Sequence, residues 1–85
     1  MPDTTILVVE DESSLREAVV MYLRGEGFRV VATGSGREAL ELFASDRIDL
    51  ILLDVMLPDI DGFSVCRTIR ETSDIPILFL TALTD

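Results

Sequence analysis

The 85-residue sequence contains no histidine, tryptophan or lysine, and its one cysteine is Cys66. Because zinc sites use histidine and cysteine, a zinc site is disfavoured, and a lone cysteine cannot form an internal disulfide. The chain has seven arginines and sixteen acidic residues. The resulting net charge of −9 disfavours direct binding to nucleic acid or to an anionic membrane. The first residues lack a signal-peptide pattern, and no apolar run approaches the roughly 20 residues of a membrane helix, so we expect a cytoplasmic protein.

A hydrophobic fraction of 48% in a chain of this length is enough for one small globular domain. Four short apolar runs alternate with three segments of helical periodicity. We predict strands at Ile6–Val9, Phe28–Thr33, Leu50–Leu53 and Ile75–Leu80. We predict helices that run from Leu15 to a stop at Gly25 and Gly27, from about Arg37 to Ser45, and from Phe63 to about Thr72.

Each predicted helix has one apolar face, which we expect to pack against a sheet. On the first helix this face consists of Leu15, Ala18, Val19, Tyr22 and Leu23. On the second helix it consists of Ala39, Leu40 and Phe43. On the third helix it consists of Phe63, Val65, Cys66 and Ile69.

The run Leu50–Leu53 is apolar without alternation, as in a parallel strand covered on both faces, and it ends at Asp54. Alternating strands and helices predict a parallel sheet with right-handed crossovers. The fold class is therefore α/β, a flavodoxin-like doubly wound sheet of order 2-1-3-4, in which the first and third strands are neighbours. That order gathers Glu10, Asp11 and Asp54 at the carboxyl edge of the sheet.

Three carboxylates at neighbouring strand ends, about 4.8 Å apart, repel one another unless a cation lies between them. Oxygen ligands with room for water suit Mg²⁺ or Mn²⁺. A bound cation would hold a phosphoryl group against Asp54, whose carboxylate would attack the phosphorus in line. The pattern therefore favours Asp54 as a phosphate acceptor.

Each of these residues also has an ordinary structural interpretation. Asp11, Ser13 and Ser14 suit the start of a helix as caps, and Asp54 suits a turn. Thr81, taken alone, is an ordinary strand residue. The pairing of two apolar strands that both end in acids favours a site over these alternatives.

Three motifs in register carry a resemblance to a known family. They are ILVVEDE at 6–12, LILLDVMLPDIDGF at 50–63 and ILFLTA at 77–82. The chain resembles the receiver domain of bacterial two-component response regulators, most closely the OmpR/PhoB type, whose receivers precede a DNA-binding domain. The resemblance implies a signalling module, not an enzyme, whose Asp54 is phosphorylated by a sensor histidine kinase. It further implies a metal site formed by Asp11, Asp54 and the backbone carbonyl of Met56, with Glu10 assisting through water.

The family's switch depends on residues at and beyond the fourth strand. The resemblance implies that the Thr81 hydroxyl turns towards the phosphate and that the backbone N–H of Ala82 contacts it. The family's domain continues through a fourth helix, a fifth strand that carries a lysine, and a fifth helix, whereas this chain stops after the fourth strand and has no lysine. We therefore expect residues 1–85 to form a receiver domain that is incomplete at its C-terminus.

The predicted fold also suggests a mode of self-association and leaves other functions to consider. The apolar strand 77–80 would lie at a sheet edge, which favours self-association, including a strand-swapped dimer. A flavodoxin-like redox module is disfavoured because Glu10–Glu12 would repel a flavin phosphate, and an aspartyl phosphatase would need an aspartate where Glu10 stands. The main alternative is a receiver-like protein-interaction module, or a fragment, that does not take part in phosphotransfer.

Overall fold

The structure, a computed structural model, describes residues 3–80. Four strands and three helices alternate along the chain. In order they are β1 (Thr5–Val9), α1 (Ser13–Gly25), β2 (Arg29–Thr33), α2 (Gly36–Ser45), β3 (Leu50–Leu53), α3 (Gly62–Arg70) and β4 (Ile77–Phe79). The strands form one parallel sheet of order β2-β1-β3-β4, which confirms the predicted fold class and strand order.

Strand β1 lies in the middle of the sheet and its last four residues, 6–9, are buried. Alternate side chains of β1 point to opposite faces, as the pleat requires. Leu7 and Val9 belong to the core under α2 and α3, whereas Ile6 and Val8 belong to the core under α1. An unbroken apolar run is therefore what this strand needs, because neither face meets water.

The register places the ends of β1 and β3 side by side. Val9 pairs with Leu53, and the N–H of Asp54 donates to the carbonyl of Val9 at 2.9 Å. On the other side, the N–H of Glu10 donates to the carbonyl of Thr33 at 3.0 Å. The first polar residue after each strand therefore lies at the same carboxyl edge.

Helix α1 contacts the sheet through two residues of the predicted face, Val19 and Leu23, and through Val20, which was not predicted. Val19, Val20 and Leu23 pack against the sheet, whereas Tyr22 is 68% exposed and Leu15 is 38% exposed. Apolar residues from Ala18 to Val20 cover an arc of about 200° at 100° per residue, which is wider than one sheet can bury. The helix buries the Val20 side of that arc, so the prediction that Tyr22 packs in the core is wrong.

The faces of α2 and α3 were predicted more closely. Ala39 is fully buried, and Leu40 and Phe43 pack against the same core, as predicted. On α3 the buried residues are Val65 and Ile69, with Cys66 partly buried beside them. Phe63 lies at the margin, 52% exposed, with its ring against that of Phe79 on β4.

Strand β4 lies at one edge of the sheet and is shorter than predicted. Its exposed side chains are Leu78, 56% exposed, and Phe79, whose ring lies 5.2 Å from that of Phe63 between centroids. Within residues 3–80, β4 is the last strand of the sheet and pairs with β3. Within residues 3–80, no helix has the length and apolar character needed to cross a membrane.

Two leucines on strands provide a matched test of this core. Leu7 is fully buried in the sheet centre and Leu78 is more than half exposed at its edge. We expect Leu7→Ala to lower the free energy of unfolding by about 2–5 kcal/mol, because it leaves a cavity. Leu78→Ala should lower it by less than about 0.5 kcal/mol. Urea denaturation measures both values, and equal losses would contradict this assignment of the core.

Candidate metal and phosphate-acceptor site

Three carboxylates meet at the carboxyl edge of the sheet. Glu10 and Asp11 follow β1, and Asp54 follows β3; one oxygen from each lies within 4.8 Å of the others. Glu10 and Asp54 are 2% and 4% exposed, whereas Asp11 is exposed. The structure therefore brings together the three acids that the sequence predicted to share a site.

Glu10 is the most constrained of the three acids. Its Oε2 accepts a hydrogen bond from the N–H of Glu12 at 3.0 Å, but its Oε1 is buried and has no hydrogen-bond partner among residues 3–80. Burial raises the pKa of Glu10, and the neighbouring carboxylates of Asp54 and Asp11 raise it further. A buried acceptor without a donor, beside two more carboxylates, is an arrangement that a cation would satisfy.

The start of α1 is capped by Glu12, not by Asp11 or the serines. The Glu12 carboxylate accepts from the N–H of Leu15 at 2.8 Å. The cap interpretation of Asp11 is therefore wrong, and its carboxylate lies with the site acids.

Arg16, on α1, binds the backbone of the residues that follow β1. Its Nη1 donates to the carbonyl oxygen of Glu10 at 2.8 Å. The same nitrogen lies 2.9 Å from the place that a Cβ on Gly34 would occupy, so a side chain at position 34 would displace the guanidinium. Sequence reasoning missed Arg16, because its partner is a backbone carbonyl, which no residue type at that spacing would indicate.

Asp54 is oriented by its own loop. One carboxylate oxygen, Oδ1, accepts from the N–H of Met56 at 3.1 Å. The Met56 side chain is exposed, so this residue acts at the site through its backbone. The chain turns sharply after Asp54, because the N–H of Gly62 donates back to the carbonyl of Val55 at 2.8 Å.

Gly62 is required where α3 begins. A Cβ at this position would lie 2.3 Å from the Asp54 carbonyl oxygen and 2.8 Å from the Cα of Val55. The preceding residue, Asp61, caps α3 by accepting from the N–H of Ser64 at 2.9 Å. That hydrogen bond lowers the pKa of Asp61, and the Ser64 hydroxyl lowers it further. The loop therefore returns to the backbone of Asp54 with no room for a side chain.

The same loop also contacts the start of α2 through Asp59. The Asp59 carboxylate accepts hydrogen bonds from two backbone N–H groups and one hydroxyl of residues 35–37. The N–H of Arg37 contributes most to a pKa of Asp59 well below its usual range, followed by the Ser35 hydroxyl and the N–H of Gly36. No periodicity or spacing in the sequence indicated this contact, because it joins residues more than 20 positions apart.

The donor set fits a hard divalent cation. The candidate ligands are oxygens, and the buried Glu10 Oε1 is an acceptor in need of a positive partner. Oxygen ligands of this kind suit Mg²⁺ or Mn²⁺. Two predicted phosphate contacts, Thr81 and Ala82, lie outside the described residues.

A family model described as the response regulator receiver domain matches residues 6–85. The chain belongs to this family. Solved receiver structures share its fold: the response regulator TrrA of Thermotoga maritima, in complex with Mg²⁺-BeF, superposes with a TM-score of 0.89 at 39% identity, covering 95% of this chain and 71% of that one. TrrA in complex with the histidine kinase ThkA gives a TM-score of 0.87 at 38% identity, covering 96% and 72%.

Two curated relatives are similar in sequence to this chain. The transcriptional regulatory protein AfsQ1 of Streptomyces coelicolor is 48% identical over 81 residues, which cover 95% of this chain and 36% of AfsQ1. The DNA-binding response regulator MtrA of Mycobacterium tuberculosis is 50% identical over 80 residues, which cover 94% of this chain and 35% of MtrA. This receiver chain therefore spans about a third of the length of these curated relatives.

Gly62→Ala tests the close turn after Asp54. Because the new methyl group would meet backbone atoms, we expect the free energy of unfolding to fall by about 1–3 kcal/mol. Gly25→Ala is the matched control, since a Cβ there has no neighbour within 4 Å, and it should leave stability unchanged or raise it by up to about 1 kcal/mol. Urea denaturation compares the two variants, and a tolerated alanine at position 62 would contradict the proposed packing.

Glu10 predicts a pH dependence of stability. Its raised pKa means that the folded protein holds a proton that the unfolded chain releases, from about pH 4.3 up to the folded pKa. Stability therefore falls as pH rises through that window. In chelator, we expect Glu10→Gln to be more stable than the wild type at pH 7 and the difference to vanish near pH 4. Glu41→Gln, at an exposed position of α2, is the control; an equal pH effect in both variants would contradict the assignment.

Proposed function

We propose that this receiver domain takes a phosphoryl group from a phosphohistidine of a sensor histidine kinase onto Asp54, with Mg²⁺ as cofactor. The observation that carries the proposal is the cluster of Glu10, Asp11 and Asp54, whose oxygens lie within 4.8 Å of one another at the carboxyl edge of the sheet. Open α/β sheets place their ligand sites at this edge. Family membership supports the same function.

The metal ligands in this proposal are Asp11, Asp54 and the backbone carbonyl of Met56, with Glu10 assisting through a water molecule. When bound, Mg²⁺ would neutralise charge on the phosphoryl oxygens. The Mg²⁺-BeF complex of TrrA, at 39% identity, supports Mg²⁺ as the cation. The orphaned Oε1 of Glu10 is an independent reason to expect a cation here.

The chemistry falls to the Asp54 carboxylate. One of its oxygens would form a bond to phosphorus while the bond between phosphorus and the histidine nitrogen breaks, and the imidazole leaves. The N–H of Met56 restricts rotation of the carboxylate by donating to Oδ1. Burial of Asp54 limits the access of water to the reacting oxygen.

A kinase is the proposed partner, and α1 is part of its proposed docking surface. The complex of TrrA with the kinase ThkA supports a partner of this class. Helix α1 presents exposed apolar side chains, of which Met21 and Tyr22 are 71% and 68% exposed. Side chains of this kind are suited to an interface with another protein.

The names of the relatives suggest the wider role of this receiver. AfsQ1 and MtrA are named as transcriptional and DNA-binding regulators, so we propose that this receiver serves transcriptional regulation as part of a longer protein. The C-terminal incompleteness of the 1–85 domain, the cytoplasmic location and self-association through β4 stay predictions. The contacts of the Thr81 hydroxyl and the Ala82 N–H with the phosphate also stay predictions.

Phosphorylation of Asp54 tests the proposal directly. The protein is incubated with Mg²⁺ and a small-molecule phosphodonor, and its intact mass is measured. We expect wild type and the control Asp74→Ala, which removes an exposed carboxylate between α3 and β4, to gain one phosphoryl group. Asp54→Ala should gain none, and a chelator should abolish the gain in the wild type. No gain by folded wild-type protein would favour an interaction module without phosphotransfer.

A further inference from the structure

Asp59 joins two parts of the chain that the sequence keeps far apart. Its Oδ1 accepts from the N–H of Gly36 at 2.9 Å. Its Oδ2 accepts from the Ser35 hydroxyl at 2.7 Å and from the N–H of Arg37 at 2.9 Å. The N–H groups of Gly36 and Arg37 belong to the first turn of α2, where no helical carbonyl is available to them. A carboxylate is also the group that the positive end of a helix favours.

Helix α2 does not need Asp59 for an ordinary cap. Ser35 already caps it, because the Ser35 side-chain oxygen accepts from the N–H of Glu38 at 3.1 Å. The Ser35 cap does not bond the N–H groups of Gly36 and Arg37, and Asp59 accepts hydrogen bonds from both. Asp59 also accepts one from the Ser35 hydroxyl. The three hydrogen bonds of Asp59 therefore stabilise the start of α2 and also hold the loop that contains Asp59 against it.

The loop and the helix start are packed without a gap. A Cβ on Gly36 would lie 2.7 Å from the carbonyl oxygen of Ile60 and 3.1 Å from the Cγ2 of Val65. Because Gly36 has no side chain, the backbone of the loop lies directly on the first turn of α2. The carboxylate of Asp59 holds it there through charge-assisted hydrogen bonds.

The other end of this loop is fixed at the site. The N–H of Met56 donates to Asp54 Oδ1 at 3.1 Å, and the N–H of Gly62 closes the loop on Val55 at 2.8 Å. Between Met56 and Asp59 lie only Leu57 and Pro58, and proline restricts the backbone further. A displacement at Asp59 would therefore reach the backbone of Met56.

We propose that Asp59 is a positioning residue of the site, which holds the backbone of Met56 beside Asp54 by anchoring the loop 55–61 to the first turn of α2. The inference rests on the proposed function where it concerns Mg²⁺, since Met56 is a metal ligand only there. Residues that hold metal ligands in place affect affinity by about 10–100-fold in other proteins.

Asp61 offers a matched control in the same loop. It too is an exposed carboxylate at a helix N-terminus, but its side chain accepts hydrogen bonds from the N–H and the hydroxyl of Ser64, at the start of its own helix. Asp59→Ala and Asp61→Ala therefore remove the same group and the same charge, and each variant loses its hydrogen bonds to the start of one helix. Only Asp59→Ala breaks the connection between α2 and the loop.

The first measurement is the Mg²⁺ affinity of the protein by isothermal titration calorimetry. We expect Asp59→Ala to weaken binding about 10-fold and Asp61→Ala to leave it within about 2-fold of the wild type. Asp59→Asn, which keeps one acceptor oxygen, should recover part of the loss. Equal affinities in wild type and Asp59→Ala, or equal losses in both alanine variants, would overturn the assignment.

The second measurement needs no metal. In chelator, amide hydrogen exchange followed by NMR should show faster exchange of the Met56 N–H in Asp59→Ala, while Asp61→Ala should speed exchange only at the start of α3, at Ser64. If wild-type protein bound no Mg²⁺, the proposed function would fail, and this exchange pattern alone would decide the positioning role. Unchanged exchange at Met56 in Asp59→Ala would overturn that role.

Discussion

The mutual repulsion of three carboxylates is the constraint on which the rest of the site depends. The register that builds the core also creates this repulsion, because β1 and β3 pair to their last apolar residues and their first acids then lie side by side. Two of these acids, Glu10 and Asp54, are almost completely buried. The backbone N–H groups of Glu12 and Met56 offset part of the cost, and Glu10 Oε1 is left without a donor in residues 3–80. The structure thus combines a stable sheet with a local deficit of positive charge.

Much of the fold could be predicted because it depends on hydrophobic periodicity. Unbroken apolar runs mark strands covered on both faces, and their alternation with helices restricts the topology to a parallel sheet. The same logic placed the three acids at one edge. It wrongly placed Tyr22 in the core, because α1 has an apolar arc wider than the sheet surface, and the arc alone does not say which side is buried. It also placed Phe63 on the packed face of the third helix, whereas this side chain is 52% exposed.

The residues that sequence reasoning missed act through contacts that have no sequence period. Arg16 binds a carbonyl across a loop, and Asp59 binds the first turn of a helix more than 20 residues away. Both contacts depend on how segments distant from each other approach in the folded structure, which no local sequence pattern encodes. Both involve backbone groups, so the identity of the partner residue carries no signal. Acids in loops are common, and Asp59 alone looks like any of them.

The geometry of Asp54 therefore has support from two directions. On one side, Arg16 and Glu12 hold the backbone and side chain of Glu10. On the other, the hydroxyl of Thr33 at the end of β2 is hydrogen-bonded to Glu38 and accepts from the N–H of Ser35, which sets the start of α2 on which the loop of Asp59 rests. The ends of three neighbouring strands thus contribute to one site, although only two of them supply its carboxylates. In the proposed positioning role of Asp59, a change at the end of β2 reaches the backbone of Met56 through α2 and the loop, without any direct contact with Asp54.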